Sequence, residues 1–260
     1  MAVNDRRLGE NVSRAYRYFS MVKSYKPDIL VLPELWCCGY SDSYTRRAMV
    51  DALNTMKRVS KHLGTLVVGS IPWIEEGDLV YNRALAVYKG EVIAYYDKIH
   101  LFKPFNEQLI FKPGSSPVLF DYKGLTIGLA ICYDMRFPEL FRSYAVNGAQ
   151  LVIAPSAWGR PRLHQWKSIV VAEAAINQFF LIAVNRVGSS TMGEEFAGHS
   201  MAVDPWGDVI VELGEDESLL LADIDTSIVE PVRRRLPILE DFEEKKELKV
   251  YSNIRRFSGA

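Results

Sequence analysis

Three side chains in this sequence combine types suited to acyl chemistry with comparable settings: Glu34, Lys98 and Cys132 each follow directly on a predicted strand. A cysteine between a buried strand and a helix start sits where the helix N-terminus favours a thiolate and where backbone N–H groups stay free for an oxyanion. The plainer alternative is a buried structural thiol, the commoner fate of a free cysteine. With a reference pKa of about 8.5 a thiol is mostly protonated at neutral pH, so attack requires a base. Glu34 is the candidate base, because desolvation at the end of a buried strand raises a carboxyl group toward the range useful for proton transfer. A loop carboxylate facing water is its alternative. Lys98 could hold a tetrahedral oxyanion together with a backbone N–H near Tyr133, or be a solvated surface lysine.

Other chemistries are less well supplied. A Cys–His pair would have to draw on His62, His100, His164 or His199, and none has a local setting that recommends it. No metal is expected, because no His or Cys pair has ligand spacing and Cys37-Cys38 are adjacent without a partner cluster. Glycine-rich phosphate loops are absent.

The elements that must carry these residues follow from periodicity. Val12, Tyr16, Phe19 and Val22 recur at helical spacing between Gly9 and Lys26, and Pro27 ends the pattern. Ile29-Leu30-Val31-Leu32 is a short apolar run fit for a strand buried on both faces, and Glu34 follows it. Residues 44–63 return to helical spacing, and Thr65–Ile71 is a second buried strand. Ala84–Tyr88 and Glu91–Tyr96 are joined at Lys89-Gly90 as a hairpin, with Lys98 just past its second arm. Leu125–Ile131 runs into Cys132 ahead of a helix from about Pro138 to Asn147, which Gly148 caps. Leu151–Ala154, Phe179–Val184 and Ser200–Val203 are further strands, with a helix over Leu163–Asn177; Val209–Leu213 and Leu219–Asp223 add a late β pair. In α/β sheets ligands collect beyond the carboxyl ends of strands, where residues distant in sequence converge.

Bulk properties bound the answer. The chain has 260 residues, 48% of them hydrophobic, enough for one sizeable α/β domain. Lys and Arg total 31 against 32 Asp and Glu, so no net field draws in nucleic acid or an anionic membrane. No apolar run approaches bilayer length, and three cysteines make no disulfide framework; a cytoplasmic setting is expected. Strands and helices alternate through both halves as one domain over residues 1–236. Residues 237–260, charge-dense from Glu240 to Lys249, suggest an exposed extension or an arm that packs on another subunit.

Taken together, the motifs carry a family resemblance: the chain resembles the nitrilase superfamily of carbon–nitrogen hydrolases. Leu32-Pro33-Glu34-Leu35 followed by Gly39-Tyr40 is similar to the first family motif, Asp97-Lys98-Ile99-His100-Leu101-Phe102 to the second, and Ile131-Cys132-Tyr133-Asp134-Met135-Arg136-Phe137-Pro138-Glu139 to the third. Glu107 matches a second glutamate that many members carry near the lysine, and the similarity runs from about Asn11 to Thr226. The resemblance implies a four-layer α-β-β-α sandwich, usually a homodimer or higher homo-oligomer, that needs no cofactor. It implies a Glu34–Lys98–Cys132 triad forming a thioester, with the Tyr133 N–H helping hold the oxyanion and Glu107 orienting Lys98 or the substrate. The third motif resembles the ω-amidase and deaminated-glutathione amidase branch, whose substrates are small amides bearing a carboxylate. Nitrile or N-carbamoyl cleavage by the same triad, and a non-catalytic scaffold, are the alternatives. A carboxylate needs a guanidinium, for which Arg136 or Arg160 is the candidate; Trp158 and Tyr40 are expected to line the pocket. Two departures stand out. Relatives usually open with an apolar strand, whereas this sequence enters almost directly at the loop before the first helix, so either its start is incomplete or the sheet loses a strand; and Glu173 and Ile176 stand where relatives commonly carry Arg and an acidic residue.

Overall fold

Two sheets are built from runs that are nearly uninterrupted in apolar character, and alternation within those runs sets the layers. In the computed structural model, which describes residues 1–41 and 43–244, the first half of the chain gives α1 (Leu8–Val22), β1 (Ile29–Val31), α2 (Arg46–Leu63), β2 (Leu66–Ile74), β3 (Val80–Tyr88) and β4 (Glu91–Asp97). Next come a short α3 (Glu107–Ile110), β5 (Leu119–Tyr122), β6 (Leu125–Leu129), α4 (Pro138–Val146), β7 (Leu151–Ser156) and α5 (Leu163–Asn177). The last third gives β8 (Phe180–Asn185), β9 (Val187–Ser189), β10 (Glu195–Ala197), β11 (Met201–Val203), β12 (Val209–Glu212), α6 (Val229–Arg235) and α7 (Ile238–Glu244). One sheet has the order β1-β2-β3-β4, the other β12-β11-β8-β7-β6-β5, and β9 and β10 form a small ribbon.

Successive strand residues point to opposite faces. Val67, Leu85 and Val87 therefore turn outward to Phe19 of α1 and Met56 and Val59 of α2. Their neighbours Leu66, Val68, Ala84 and Ala86 turn inward to meet Ile127, Leu129 and Ile153 of the second sheet. That sheet's other face is covered by α4 and α5, whose buried stripes include Leu140, Phe141, Trp166, Val170 and Ala174. The result is the four-layer α-β-β-α sandwich. Local chemistry fixes the boundaries: the Thr45 hydroxyl caps α2 by accepting from the Ala48 N–H at 3.2 Å, and Gly64, at φ +68°, closes it. Lys89 and Gly90 both adopt positive φ, as a two-residue hairpin between right-twisted strands demands.

Parallel pairing puts the carboxyl ends of β1 and β2 at one end of the first sheet and those of β6, β7 and β8 together in the second. β3 runs antiparallel to β2 and β4 antiparallel to β3, so β4 ends, and β3 begins, at the same end of the sheet as the carboxyl ends of β1 and β2.

Several sequence expectations are corrected. The first helix ends at Val22, short of Lys26. Leu219–Asp223 forms no strand; β12 pairs with β11 instead, and Leu219 and Leu221 line a hollow of about 140 Å³ beside Leu30 and Leu32, along the unpaired side of β1. Part of the expected C-terminal extension is structured: α7 lies within it, and Leu239 packs on the core. Residues 245–260 lie outside the described residues. Among the described residues no strand precedes α1. Ala2 makes a single bridge to Val187, and a buried Asp5–Arg186 pair at 3.1 Å ties this segment to the end of β8.

Candidate active site

Four chain segments converge at the shared end of the sheets. The turn after β1 carries Glu34, whose N–H approaches the Ser156 carbonyl at the end of β7 at 3.4 Å. Leu35 takes a positive φ of 46° and donates its N–H to the Ser70 hydroxyl of β2 at 2.8 Å. Lys98 leaves β4 and is fixed by two backbone bonds, its N–H to the Asn82 carbonyl at 3.0 Å and its carbonyl from the Gly114 N–H at 2.8 Å. Gly114 is required there, since a Cβ would overlap the Asp97 carbonyl. Cys132 follows β6 at the start of a 3-10 turn (Cys132–Arg136) with φ +49°, a costly conformation for a non-glycine residue that presents the sulfur at the junction of strand and helix.

Glu34, Lys98 and Glu107 are fully buried. Lys98 Nζ donates to Glu34 Oε1 at 2.7 Å and to Glu107 Oε1 at 2.9 Å, while Glu107 Oε2 accepts the Phe102 N–H at 2.7 Å. The two carboxylates hold the ammonium against the cost of burial, and its pKa lies above the ordinary lysine value. Glu107 is pushed up by burial, opposed by Lys98. Cys132, 6% exposed, has its thiol raised well above the ordinary range, first by desolvation and then by the Glu34 carboxylate; Lys98 and the Ala157 N–H pull the other way. The resting sulfur is a protonated thiol beside a carboxylate, which suits base-assisted attack.

Glu34 is held by two residues besides Lys98. The Asn82 amide donates to Oε1 at 2.8 Å, and the Tyr40 hydroxyl donates to Oε2 at 2.9 Å. Tyr40 is therefore a neighbour of the carboxylate rather than of the cleft, which it does not line. Asn82 carries no local sequence signal, because its significance depends on β3 beginning at the end of the sheet where β1 finishes. Asp134 was named only within a motif, yet it is fully buried and locks the two loops together: Oδ2 accepts from the Ile131 N–H at 2.9 Å and the Tyr96 hydroxyl at 2.8 Å, and Oδ1 from the His100 N–H at 2.9 Å. The His100 ring also meets Oδ1 at 2.9 Å and stacks on Phe137. No histidine lines the cleft: His62 and His164 are exposed and His199 pairs with Glu212.

Cys132 and Ala157 form the floor of a narrow cleft of about 10 Å³, walled by Phe102, Tyr133 and Trp158 and rimmed by Arg136 and Arg162. The hollow along β1 admits more water-sized volume, but it contains no nucleophile or catalytic carboxylate. Arg160 is not part of the cleft, because it turns outward to Glu195 and Glu215. Arg162 takes the rim place that sequence reasoning offered to Arg160. In a 3-10 turn (Arg160–Arg162) residues two apart point about a third of a turn from each other, and the sequence does not say which faces in.

Comparison with known proteins follows the same line. The sequence pattern of the family Carbon-nitrogen hydrolase matches residues 3–234. The chain belongs to the carbon–nitrogen hydrolase family. It is 36% identical over 237 residues to a 2-oxoglutaramate amidase of Bacillus subtilis, covering 89% of this chain and 91% of that protein. It is 30% identical over 242 residues to an omega-amidase of Homo sapiens, covering 88% of each. Among solved structures, a carbon–nitrogen hydrolase superfamily protein of Xanthomonas campestris with an arsenic adduct in its active site superposes with a TM-score of 0.81 at 27% identity, covering 92% of this chain and 93% of that one. An amidase variant from Nesterenkonia sp. AN1, with acrylamide added to its active-site cysteine, gives a TM-score of 0.81 at 26% identity, covering 91% of this chain and 95% of that one. As a member of this family the chain is an enzyme that hydrolyses carbon–nitrogen bonds.

Proposed function

We propose that this carbon–nitrogen hydrolase cleaves a small, carboxylate-bearing amide to the acid and ammonia through a thioester on Cys132. The observation that carries the reading is the buried Glu34–Lys98–Glu107 array next to a strained cysteine at the floor of a cleft. Glu34 takes the thiol proton as sulfur adds to the amide carbon. The negative charge that develops on oxygen is stabilised by Lys98 and the Tyr133 N–H, which lies in the first turn of the 3-10 helix and lacks an acceptor within it. Glu34 passes its proton to the amide nitrogen, the C–N bond breaks and ammonia leaves. Water then gives a proton to Glu34 and adds to the thioester; collapse releases the acid, and the sulfur recovers the proton. Glu107 orients Lys98, Tyr40 and Asn82 orient Glu34, and Arg136 faces the substrate's far end beside Trp158.

The similarity to two amidases over most of this chain supports the amide. The experiment is ammonia release across small ω-amides, nitriles and N-carbamoyl compounds, with trapping of a substrate-sized mass on Cys132. Release from amides that Cys132→Ala abolishes is the expected result; no release from any amide by wild type, or release unchanged in the variant, refutes the reading. We further propose a cytoplasmic homodimer or higher oligomer. Three free thiols support a reducing compartment, and an apolar hollow lined by Pro138, Val146, Ile176 and Phe242 supports self-association.

A further inference from the structure

We infer that Asp5 is a positioning residue for the reaction: its buried carboxylate, set between Gly39 and Arg186, holds the turn that presents Tyr40 to Glu34. This rests on the amide-hydrolase reading, in which Glu34 is the base. The Asp5 side chain is fully buried and joins three parts of the chain. Oδ1 accepts from Arg186 Nη1 at 3.1 Å, just past β8, and Oδ2 accepts the Thr191 N–H at 2.7 Å, between β9 and β10. Gly39 lies against the same carboxylate at φ +62°; a Cβ there would overlap Asp5 Oδ1 and crowd Arg186 Nη1. Residues around Asp5 grip the same turn. The Arg6 N–H donates to the Cys38 carbonyl at 2.8 Å, and Asn11, which accepts the Asn4 N–H at 2.8 Å, donates to the Cys37 carbonyl at 3.0 Å.

What this grip fixes is the base. Residues 35–39 close on themselves, because the Cys38 and Gly39 N–H groups both donate to the Leu35 carbonyl, at 3.1 and 2.8 Å. Glu34 and Tyr40 flank that turn, and the Tyr40 hydroxyl donates to Glu34 Oε2. A shift at Gly39 therefore moves the donor relative to the carboxylate it orients. The other half of the ion pair leads to the same place. The Arg186 guanidinium lies over the Phe196 ring at 4.0 Å, and Phe196 packs in one cluster with Leu35, Tyr40 and Ala157. Burial disfavours the charged form of Arg186, opposed first by Asp5 and then by Tyr40 and Glu34, so the pair stands within electrostatic reach of the base. Because a buried ion pair often adds nothing to stability over apolar residues of equal volume, its place behind the catalytic turn calls for another account.

The test is kinetic, with succinamate as the amide. Asp5→Asn should lower kcat by roughly tenfold and leave KM within a factor of about two, matching Tyr40→Phe. Because both act on one hydrogen bond, the double variant should fall no more than about twofold below the lower single. Independent losses that multiply to roughly 100-fold, or an unchanged kcat in Asp5→Asn, overturn the inference. Asp5→Asn with Arg186→Gln leaves no charge buried without a partner, so its urea midpoint should return toward wild type. Its kcat should stay low, because the asparagine Nδ2 cannot accept the Thr191 N–H. Recovery of kcat along with the midpoint assigns Asp5 to stability alone and overturns the inference; this variant also carries the cycle with Tyr40→Phe should Asp5→Asn not fold. Alkylation of Cys132 by iodoacetamide, followed residue by residue by mass spectrometry, reads the base without turnover. Asp5→Asn and Tyr40→Phe should change its rate by similar factors that do not multiply, and no change in either overturns the inference. Should wild type release no ammonia from any amide while that pattern holds, the amidase reading fails alone.

Discussion

At the scale of single residues, the site is an expensive arrangement for a fold to keep. Placing an ammonium and two carboxyl groups in the interior costs several kcal/mol of desolvation per ion, and apolar replacements of equal volume often stabilise such positions. A scaffold without chemistry has no use for it. Removing one member has unequal effects that can be measured. Cys132→Ala is expected to abolish turnover by a factor of at least about 10⁴ while leaving the urea midpoint near wild type, because a small, strained, buried thiol is replaced by a smaller group. Lys98→Ala should abolish turnover and also destabilise the protein by about 3–5 kcal/mol, since Glu34 and Glu107 lose the cation that compensates them. If Lys98→Ala proves as stable as wild type in urea unfolding, the array is not the charge network described. Tyr40→Phe removes one donor from Glu34 and touches no part of the cleft. A hydrogen bond to a charged group contributes about 1.5–3 kcal/mol, so kcat is expected to fall by roughly tenfold or more.

At the scale of elements, the sequence was legible wherever a local pattern had one solution. The run 29–32, the Lys89-Gly90 hairpin and the helix Leu163–Asn177 were readable because burial on both faces, positive φ and helical spacing each leave a direct mark. Leu219–Asp223 misled because apolar residues that line a hollow resemble a strand. Leu119–Tyr122 was missed because an edge strand mixes polar and apolar residues. Within the site, the three strand-end residues could be found, whereas Asn82, Asp134 and Arg162 act through neighbours that only the folded chain supplies. Asp134 joins the loops after β4 and β6: Oδ1 accepts from His100 after β4, and Oδ2 from Ile131 after β6 and from Tyr96 of β4. An asparagine has one acceptor oxygen there, so Asp134→Asn should cost about 2–3 kcal/mol in urea unfolding and displace Cys132 relative to Lys98. Within α5, Glu173 is buried and accepts from the Asn177 amide at 2.8 Å, and burial raises its carboxyl group from 4.5 to about 7. The folded state thus holds a proton that the unfolded chain releases between these values, so stability falls as pH rises from 4.5 through about 7 and levels off above. The loss is on the order of 3 kcal/mol at most. Glu173→Gln should remove this slope, which urea unfolding at pH 5 and pH 8 will detect; an unchanged slope assigns it to another group.

At the scale of the whole molecule, one face of the sandwich is unlike the rest. Between α4, α5 and α7 lies a hollow lined by Pro138, Arg142, Val146, Ile176 and Phe242, with Ile176 and Phe242 41% and 51% exposed. Arg142 rests against the Phe242 ring at 5.2 Å, and its Nη1 is buried without a hydrogen-bond partner. Exposed apolar side chains around an unsatisfied buried donor are what an interface would cover, and a stable dimer needs about 800 Å² from each partner. The same face bears on catalysis through connectivity: α4 begins at Pro138, directly after the turn that holds Cys132 and Arg136. A partner packed on α4 would brace that turn and with it the positive φ at the sulfur. Wild type is therefore expected to sediment as a dimer or larger assembly, and Ile176→Asp with Phe242→Asp should weaken association by roughly 100-fold or more, as two buried carboxylates without partners would. The dissociated protein should keep its circular dichroism and lose several-fold in kcat. A wild type that sediments as a monomer at micromolar concentration, or a monomeric variant with undiminished kcat, would separate this face from both assembly and catalysis.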